Sequence, residues 1–225
     1  TKIIFVRHGE AEHNVLKMSS SAIDKHPLTP LGNKQAEHAA KELSREHVDV
    51  VYVSPVLRAR QTAEHYTKKS GHTAIVDNRL MEITSGQWEE TTQNDPDVKE
   101  ERDAYKNLPI EERYVFKRGK TGESWKDLDA RTKEFLDEII KKHAGKTVAV
   151  FSHQGTGSSM IRQLKGLSNE EAVTQIFHNA RITGNAVPVP MFVDSKRKVE
   201  LDLHRPYIDE IQVLKDGKSF TRVSD

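Results

Sequence analysis

The 225-residue chain has no cysteine. That excludes disulfides, cysteine nucleophiles, thiolate zinc sites and Cys-ligated iron–sulfur clusters, although it does not by itself set the compartment. Long apolar runs are also missing. None approaches the ~18 residues that a membrane helix needs, and the opening Thr1-Lys2-Ile3-Ile4-Phe5-Val6 is too short for a signal peptide. Charge of one sign is lacking too: 35 Lys+Arg face 34 Asp+Glu, a net +1. This balance leaves no electrostatic footprint for nucleic acid or anionic lipid. The expectation is a cytoplasmic protein with no nucleic-acid and no membrane partner. No G-x-x-x-x-G-K-[ST], G-x-G-x-x-G or G-x-S-x-G occurs, which argues against nucleotide-binding loops and serine-hydrolase elbows. Neither repeats nor Pro/Gly/Ser linkers divide the chain, so it reads as one domain over residues 1–225.

The segments that are present alternate in type. Residues 3–6, 48–53 and 147–151 are short, continuous apolar runs rich in β-branched residues, the pattern of strands buried on both faces. Helical patterns lie between them. Thr29-Pro30 is an N-cap followed by proline at the first helical position, and the helix runs to about residue 46. A second runs over about 55–69. Ser124 with Asp127 resembles a capping box and opens a helix to residue 143, stopped by Gly145. A fourth covers about 155–165. This alternation predicts an α/β fold with a mostly parallel sheet. Residues 180–193, 199–204 and 208–214 read as tail strands that extend the sheet edge, with turns at Asp194-Ser195 and Asp216-Gly217. Residues 84–122 are charged, weakly periodic and too long for a simple connection. They read either as a solvated helical excursion or as a lid-like insertion over a site.

The three strong strands end in Val6-Arg7-His8-Gly9-Glu10, in Val53-Ser54-Pro55-Val56-Leu57-Arg58 and in Phe151-Ser152-His153-Gln154-Gly155. In open parallel sheets, ligands bind beyond the carboxyl ends of the strands. Two histidines and two arginines are thus delivered to one crevice, and guanidinium forks suit a phosphate or carboxylate. Gly155 lets the backbone approach an anion at a helix start.

Arg7-His8-Gly9-Glu10 resembles the signature of the histidine phosphatase superfamily, which includes the phosphoglycerate mutases. Further blocks follow in that family's order: Asn14; Leu28-Thr29-Pro30-Leu31-Gly32 with Gln35-Ala36; Ser54 to Ala63; Leu80-Met81-Glu82 with Gly86 and Trp88-Glu89; Gly122-Glu123-Ser124 with Asp127 and Arg131; and Ser152-His153. The resemblance implies a three-layer α/β/α, phosphoglycerate mutase-like fold. It implies phosphomonoester hydrolysis in which His8 becomes a phosphohistidine. Arg7 and Arg58 would hold the nonbridging oxygens, with Asn14 and the Gln154 amide as neutral donors. His153 would be a further donor, preferably protonated, and Glu82 the proton donor and acceptor. No cofactor and no metal is called for, because the arginines carry the positive charge. The partner is a small phosphorylated substrate, with a phosphoprotein in the same chemical range; oligomeric state is not encoded in any motif.

Three positions depart from the family pattern: Ala11 where Ser or Thr is frequent, Gln154 where Gly follows the histidine, and Glu90 where Gly is common. The residues after Glu82, Ile83-Thr84-Ser85-Gly86-Gln87-Trp88, lack the Arg-His-Tyr-Gly-like run of the mutases, which favours water over a second hydroxyl as acceptor. Mutase-type transfer and a non-catalytic phospholigand-binding module remain the alternatives. A metal hydrolase built on His8, His13, His153 and Glu82 is disfavoured, since His8 and His13 lie five apart near a strand end, not four apart on a helix. His13 itself reads equally as facing substrate or as exposed. Lys117, Arg118 and Lys120 read more simply as a solvated charge run than as readers of a second anion.

Overall fold

The computed structural model describes residues 1–173, 175, 184–193, 199–201, 211–213 and 220–222. Its central sheet has six strands in the order β3-β2-β4-β1-β5-β6. They are β1 (Lys2–Arg7), β2 (Val50–Val53), β3 (Ile75–Val76), β4 (Thr147–Ser152), β5 (Pro188–Val193) and β6 (Val199–Leu201). β3, β2, β4 and β1 run parallel, while β5 lies antiparallel on β1 and β6 antiparallel on β5.

Both faces of this sheet are covered, which is why its strands read as unbroken apolar runs. On one face Ile4, Val6, Val51, Val53, Ala149 and Phe151 pack against Ala39, Ala40 and Leu43 of α2 (Pro30–Leu43) and against Ala59, Ala63 and Tyr66 of α3 (Leu57–Ser70). On the other, Ile3, Phe5, Tyr52, Val148 and Val150 meet Phe135, Leu136 and Ile139 of α6 (Trp125–Lys142) and Met160 and Ile161 of α7 (Gln154–Lys165). Successive strand residues point to opposite layers.

The helix starts follow their signals. Thr29 accepts from the Gly32 N–H at 3.0 Å. Ser124 and Asp127 form a reciprocal box, with the Asp127 N–H on Ser124 Oγ at 3.2 Å and the Ser124 N–H on Asp127 Oδ2 at 2.7 Å. Short helices α1 (Glu12–Val15) and α8 (Asn169–Ala172) add to these.

The charged insertion takes the helical form that one of its two readings gave it, while the tail needs revision. Within 84–122 the charged stretch holds two helices, α4 (Pro96–Asn107) and α5 (Ile110–Val115), gathered on an aromatic cluster of Trp88, Tyr105 and Phe116 with centroids 5.2–6.1 Å apart. The tail does not extend the main sheet throughout. β7 (Ile211–Val213) pairs with β8 (Phe220–Arg222) in a separate two-stranded sheet, because an apolar strand pattern marks a strand without naming its partner. The turns at Asp194-Ser195 and Asp216-Gly217, and residues 180–183, lie outside the described residues. No helix among the described residues is long and apolar enough to cross a membrane.

Candidate active site

The parallel register aligns Arg7 with Ser152 and Val53 with Phe151, so His8, Ser54 and His153 leave the sheet side by side. The His8 N–H donates to Ser152 O at 2.9 Å and the Ser54 N–H to Phe151 O at 3.0 Å. The His8 and His153 rings lie 5.3 Å apart between centroids. Arg58, one residue into α3, is fully buried beside them.

The proton on His8 has one place to sit. Nδ1 lies 2.7 Å from Gly9 O, which can only accept, and Nε2 accepts from Arg58 Nε–H at 3.2 Å. The ring therefore carries its hydrogen on Nδ1 and its lone pair on Nε2. Burial, followed by the charges of Arg58 and Arg7, holds its pKa well below the ordinary histidine range, so the imidazole is neutral at pH 7. Burial also lowers Arg58 to about 10, against the opposing pull of Glu82, and the guanidinium stays charged. Arg58 Nη2 donates to Ser20 O at 2.8 Å. Arg7 is shifted down by burial and back up by Glu82.

His153 differs from expectation. Its Nε2 lies 2.8 Å from Ser54 Oγ, and its buried Nδ1 has no hydrogen-bond partner among the described residues. Burial and then Arg58, His13 and Arg7 push it well below the usual range. Its preferred form is neutral, because the guanidiniums that attract an anion also repel a further positive charge.

Glu82 follows a 3-10 turn over Asn78–Leu80. Its carboxylate accepts from the Ile83 N–H at 2.8 Å and from the Gly155 N–H, at the start of α7, at 3.3 Å. A Cβ on residue 155 would sit 2.4 Å from Glu82 Oε1, so only glycine permits this approach. Arg131 fixes the loop from behind, donating to the carbonyls of Arg79, Met81 and Glu82 at 2.7, 2.8 and 3.1 Å. Its other donors fork onto Glu123.

Arg7, His13, Asn14, Glu82 and Gln154 share one cleft of about 770 Å³. Asn14 both caps and lines: Oδ1 accepts from the Ala11 N–H at 3.0 Å, which turns Nδ2 toward His13 Nε2 at 3.1 Å. His13 is buried, with its ring 5.3 Å from that of His8, so it is not the exposed residue of the blander reading. Burial and then Arg58 and Arg7 push its pKa down to about 3. Arg118 also lines the cleft, as do Thr92, Gln93 and Asn94 from the same 84–122 segment. Among the described residues no group of three or more His, Asp or Glu is arranged to hold a metal.

Sequence reasoning missed the rim. Glu89 accepts from the Ser21 N–H at 2.8 Å and the Ser85 N–H at 2.6 Å. Glu90 accepts from Ser20 Oγ at 2.6 Å and meets His26 Nε2 at 3.0 Å. These contacts hold residues 19–21, and with them the carbonyl that anchors Arg58. The Trp88-Glu89 block was the only hint in the sequence.

A profile of the histidine phosphatase superfamily (branch 1) matches residues 3–185. This chain belongs to that superfamily. Phosphoserine phosphatase 1 of Hydrogenobacter thermophilus is 34% identical over 166 residues, 74% of this chain and 77% of that protein. A 2,3-bisphosphoglycerate-dependent phosphoglycerate mutase of Thermoplasma acidophilum is 41% identical over 83 residues, 37% of this chain and 42% of its own. Among solved structures, mycobacterial glucosyl-3-phosphoglycerate phosphatase in complex with VO3 superposes with a TM-score of 0.76 at 25% identity, covering 89% of this chain and 96% of the other. The three-layer, phosphoglycerate mutase-like fold and the expected class of enzyme, a phosphomonoester hydrolase of the histidine phosphatase type, are borne out by these matches.

Proposed function

We propose that this histidine phosphatase hydrolyses a small phosphorylated metabolite through a phosphohistidine at Nε2 of His8. The observation that carries the assignment is the ring's pinned tautomer: Nδ1–H is committed to Gly9 O, which leaves the Nε2 lone pair beside Arg58. In the first step Nε2 bonds to phosphorus, the ester P–O bond breaks, and Glu82 gives a proton to the leaving oxygen. In the second, water attacks phosphorus, Glu82 takes its proton, and the N–P bond breaks to release phosphate. Arg7 and Arg58 hold the nonbridging oxygens and oppose the charge that grows on them. Neutral His153 donates from one ring nitrogen, with Asn14 and the Gln154 backbone amide as further donors.

Residues 84–122 act in this reading as a lid-like insertion of a single domain over 1–225, since Ser85, Thr92, Gln93, Asn94 and Arg118 complete the cleft wall. Phosphoserine is the first substrate to test, given the relative named for it. A cytoplasmic setting, with no nucleic-acid partner, accords with the balanced charge.

Turnover of phosphoserine and a phosphomonoester panel, quenched during steady state, should trap an acid-labile phosphoryl group on His8 while free phosphate accumulates. Stoichiometric transfer to an acceptor hydroxyl without phosphate release would make the protein a mutase. Tight binding with no turnover of any ester would make it a binding module.

A further inference from the structure

A second cavity, of about 290 Å³, lies behind the lid-like segment, between α5, α6, α7 and α8. The phosphatase mechanism uses none of it. Its walls carry three aromatic rings, Tyr105, Tyr114 and Trp125, and three arginines, Arg113, Arg118 and Arg162. The arginines are not alike. Arg162 is paired with Asp129 and bonded to Asn169 at 3.0 Å. Arg113 and Arg118 make no side-chain hydrogen bond or ion pair with described residues, and the Nε of each is shut off from water.

The nearby carboxylates are committed elsewhere. Asp129 accepts from Arg162, from Ser159 and from Tyr114 at 2.8 Å, and Glu111 accepts from Asn169 Nδ2 at 2.8 Å. Two half-buried guanidiniums with no counter-charge among the described residues are costly, and a bound anion would relieve that cost. The Arg118 guanidinium lies over the Trp125 ring, 4.9 Å from its centroid, a stacked contact that a guanidinium can make while its N–H groups remain donors. Arg118 lines both this cavity and the catalytic cleft.

We propose that this cavity is an effector site for a small, flat organic carboxylate, and that its occupant tunes substrate binding through Arg118. The volume suits a single ring bearing one carboxylate and is too small for a nucleotide, since pockets for larger ligands span roughly 300–1,000 Å³. The aromatic walls take the ring and the two uncommitted arginines take the charge.

The test uses sodium benzoate as probe and benzyl alcohol as its uncharged counterpart, on the full-length protein. Binding is read by calorimetry with and without saturating inorganic phosphate, which occupies the catalytic cleft. Benzoate should bind in both conditions and equally to the His8→Ala variant. Benzyl alcohol should bind at least about tenfold more weakly, and Arg113→Gln should lose benzoate binding to a similar degree. Arg113→Lys, which keeps the charge but not the fork, should fall between. Because Arg113 lines the second cavity and not the catalytic cleft, its Gln variant should keep wild-type turnover without benzoate. In the wild type, saturating benzoate should move KM by about fivefold or more, with the reciprocal effect of substrate on benzoate affinity. Abolition of binding by phosphate together with full binding by Arg113→Gln would place benzoate in the catalytic cleft and overturn the proposal. So would the absence of binding at millimolar concentration, and binding that leaves KM unchanged would overturn the effector role.

Discussion

The floor and the rim of the catalytic cleft are built on different principles. The floor is made of strand ends. His8, Ser54 and His153 occupy adjacent positions because three parallel strands share a register, and each is buried by the covered sheet. The rim is made of two segments outside the central sheet, 18–26 and 84–94, joined by backbone bonds (Ser19 N–H to Thr91 O at 3.1 Å, Glu90 N–H to Ser19 O at 2.8 Å) and by carboxylates, Glu89 to Ser21 and Glu90 to Ser20 and His26. Rigid packing fixes a tautomer and a lone pair on the floor, where a displacement of an ångström would be expensive in rate. Polar ties fix the rim, where residues can change without disturbing the core. On the proposed mechanism the floor would perform the chemistry and the rim would select what reaches it.

Changes in the floor should act on turnover. His8→Ala is expected to lower phosphate release by about 10³-fold or more and to abolish the phosphoenzyme, with the thermal midpoint staying within a few degrees of wild type. Residual turnover above that level through an N–P intermediate elsewhere would move the nucleophile off His8. Glu82→Gln comes next. Alkyl esters, whose leaving oxygen needs a proton, should slow by roughly 10²–10⁴-fold, and activated aryl esters far less. Equal losses on both would remove Glu82 from the acid role.

The floor also predicts a dependence of stability on pH. His8, His13 and His153 are held below the unfolded histidine value, with His13 at about 3. Between about 3 and about 6.5 the unfolded chain binds a proton at His13 that the folded chain refuses, and below about 6.5 His8 and His153 act in the same direction. Stability therefore falls as pH drops below about 6.5, by about 1.4 kcal/mol per pH unit for each such group. Denaturation at pH 6.5 and at pH 5 should show this slope, and His13→Asn should reduce it by one proton. An unchanged slope would mean that His13 titrates alike in both states.

How much of this was legible in the sequence divides along the same line. The floor could be read because its residues sit in short blocks at strand ends, where a β-branched run followed by Arg-His or Ser-His places them without knowledge of distant contacts. Even so, the lowered pKa of His153 could not be read, since its burial and the nearby charges of Arg58 and Arg7 exist only once the strands meet. The rim could not be read because its bonds join residues about 70 positions apart, Ser20 to Glu90 and Ser21 to Glu89, and no local pattern announces such a pair. Arg118 looked like one member of a solvated charge run, yet its loop is clamped to residues 84–88. A Cβ on Gly119 would lie 2.4 Å from Ser85 O, in a turn with φ of 47° that glycine adopts freely.

Glu90 offers the finest test of the contrast. It occupies a left-handed conformation, φ 59°, where the family commonly has glycine, so the rim holds backbone strain that the carboxylate's bonds to Ser20 and His26 offset. Glu90→Gly and Glu90→Ala lose those bonds equally. Alanine keeps the unfavourable backbone, which costs about 1–2 kcal/mol, while glycine relaxes it but adds unfolded-state entropy of up to about 1 kcal/mol. Chemical denaturation should therefore rank wild type first, the Gly variant second and the Ala variant lowest, with the last two about 1 kcal/mol apart. If alanine proved the more stable of the two variants, left-handed strain would not be what the Glu90 carboxylate compensates, and the rim would owe its shape to the hydrogen bonds alone.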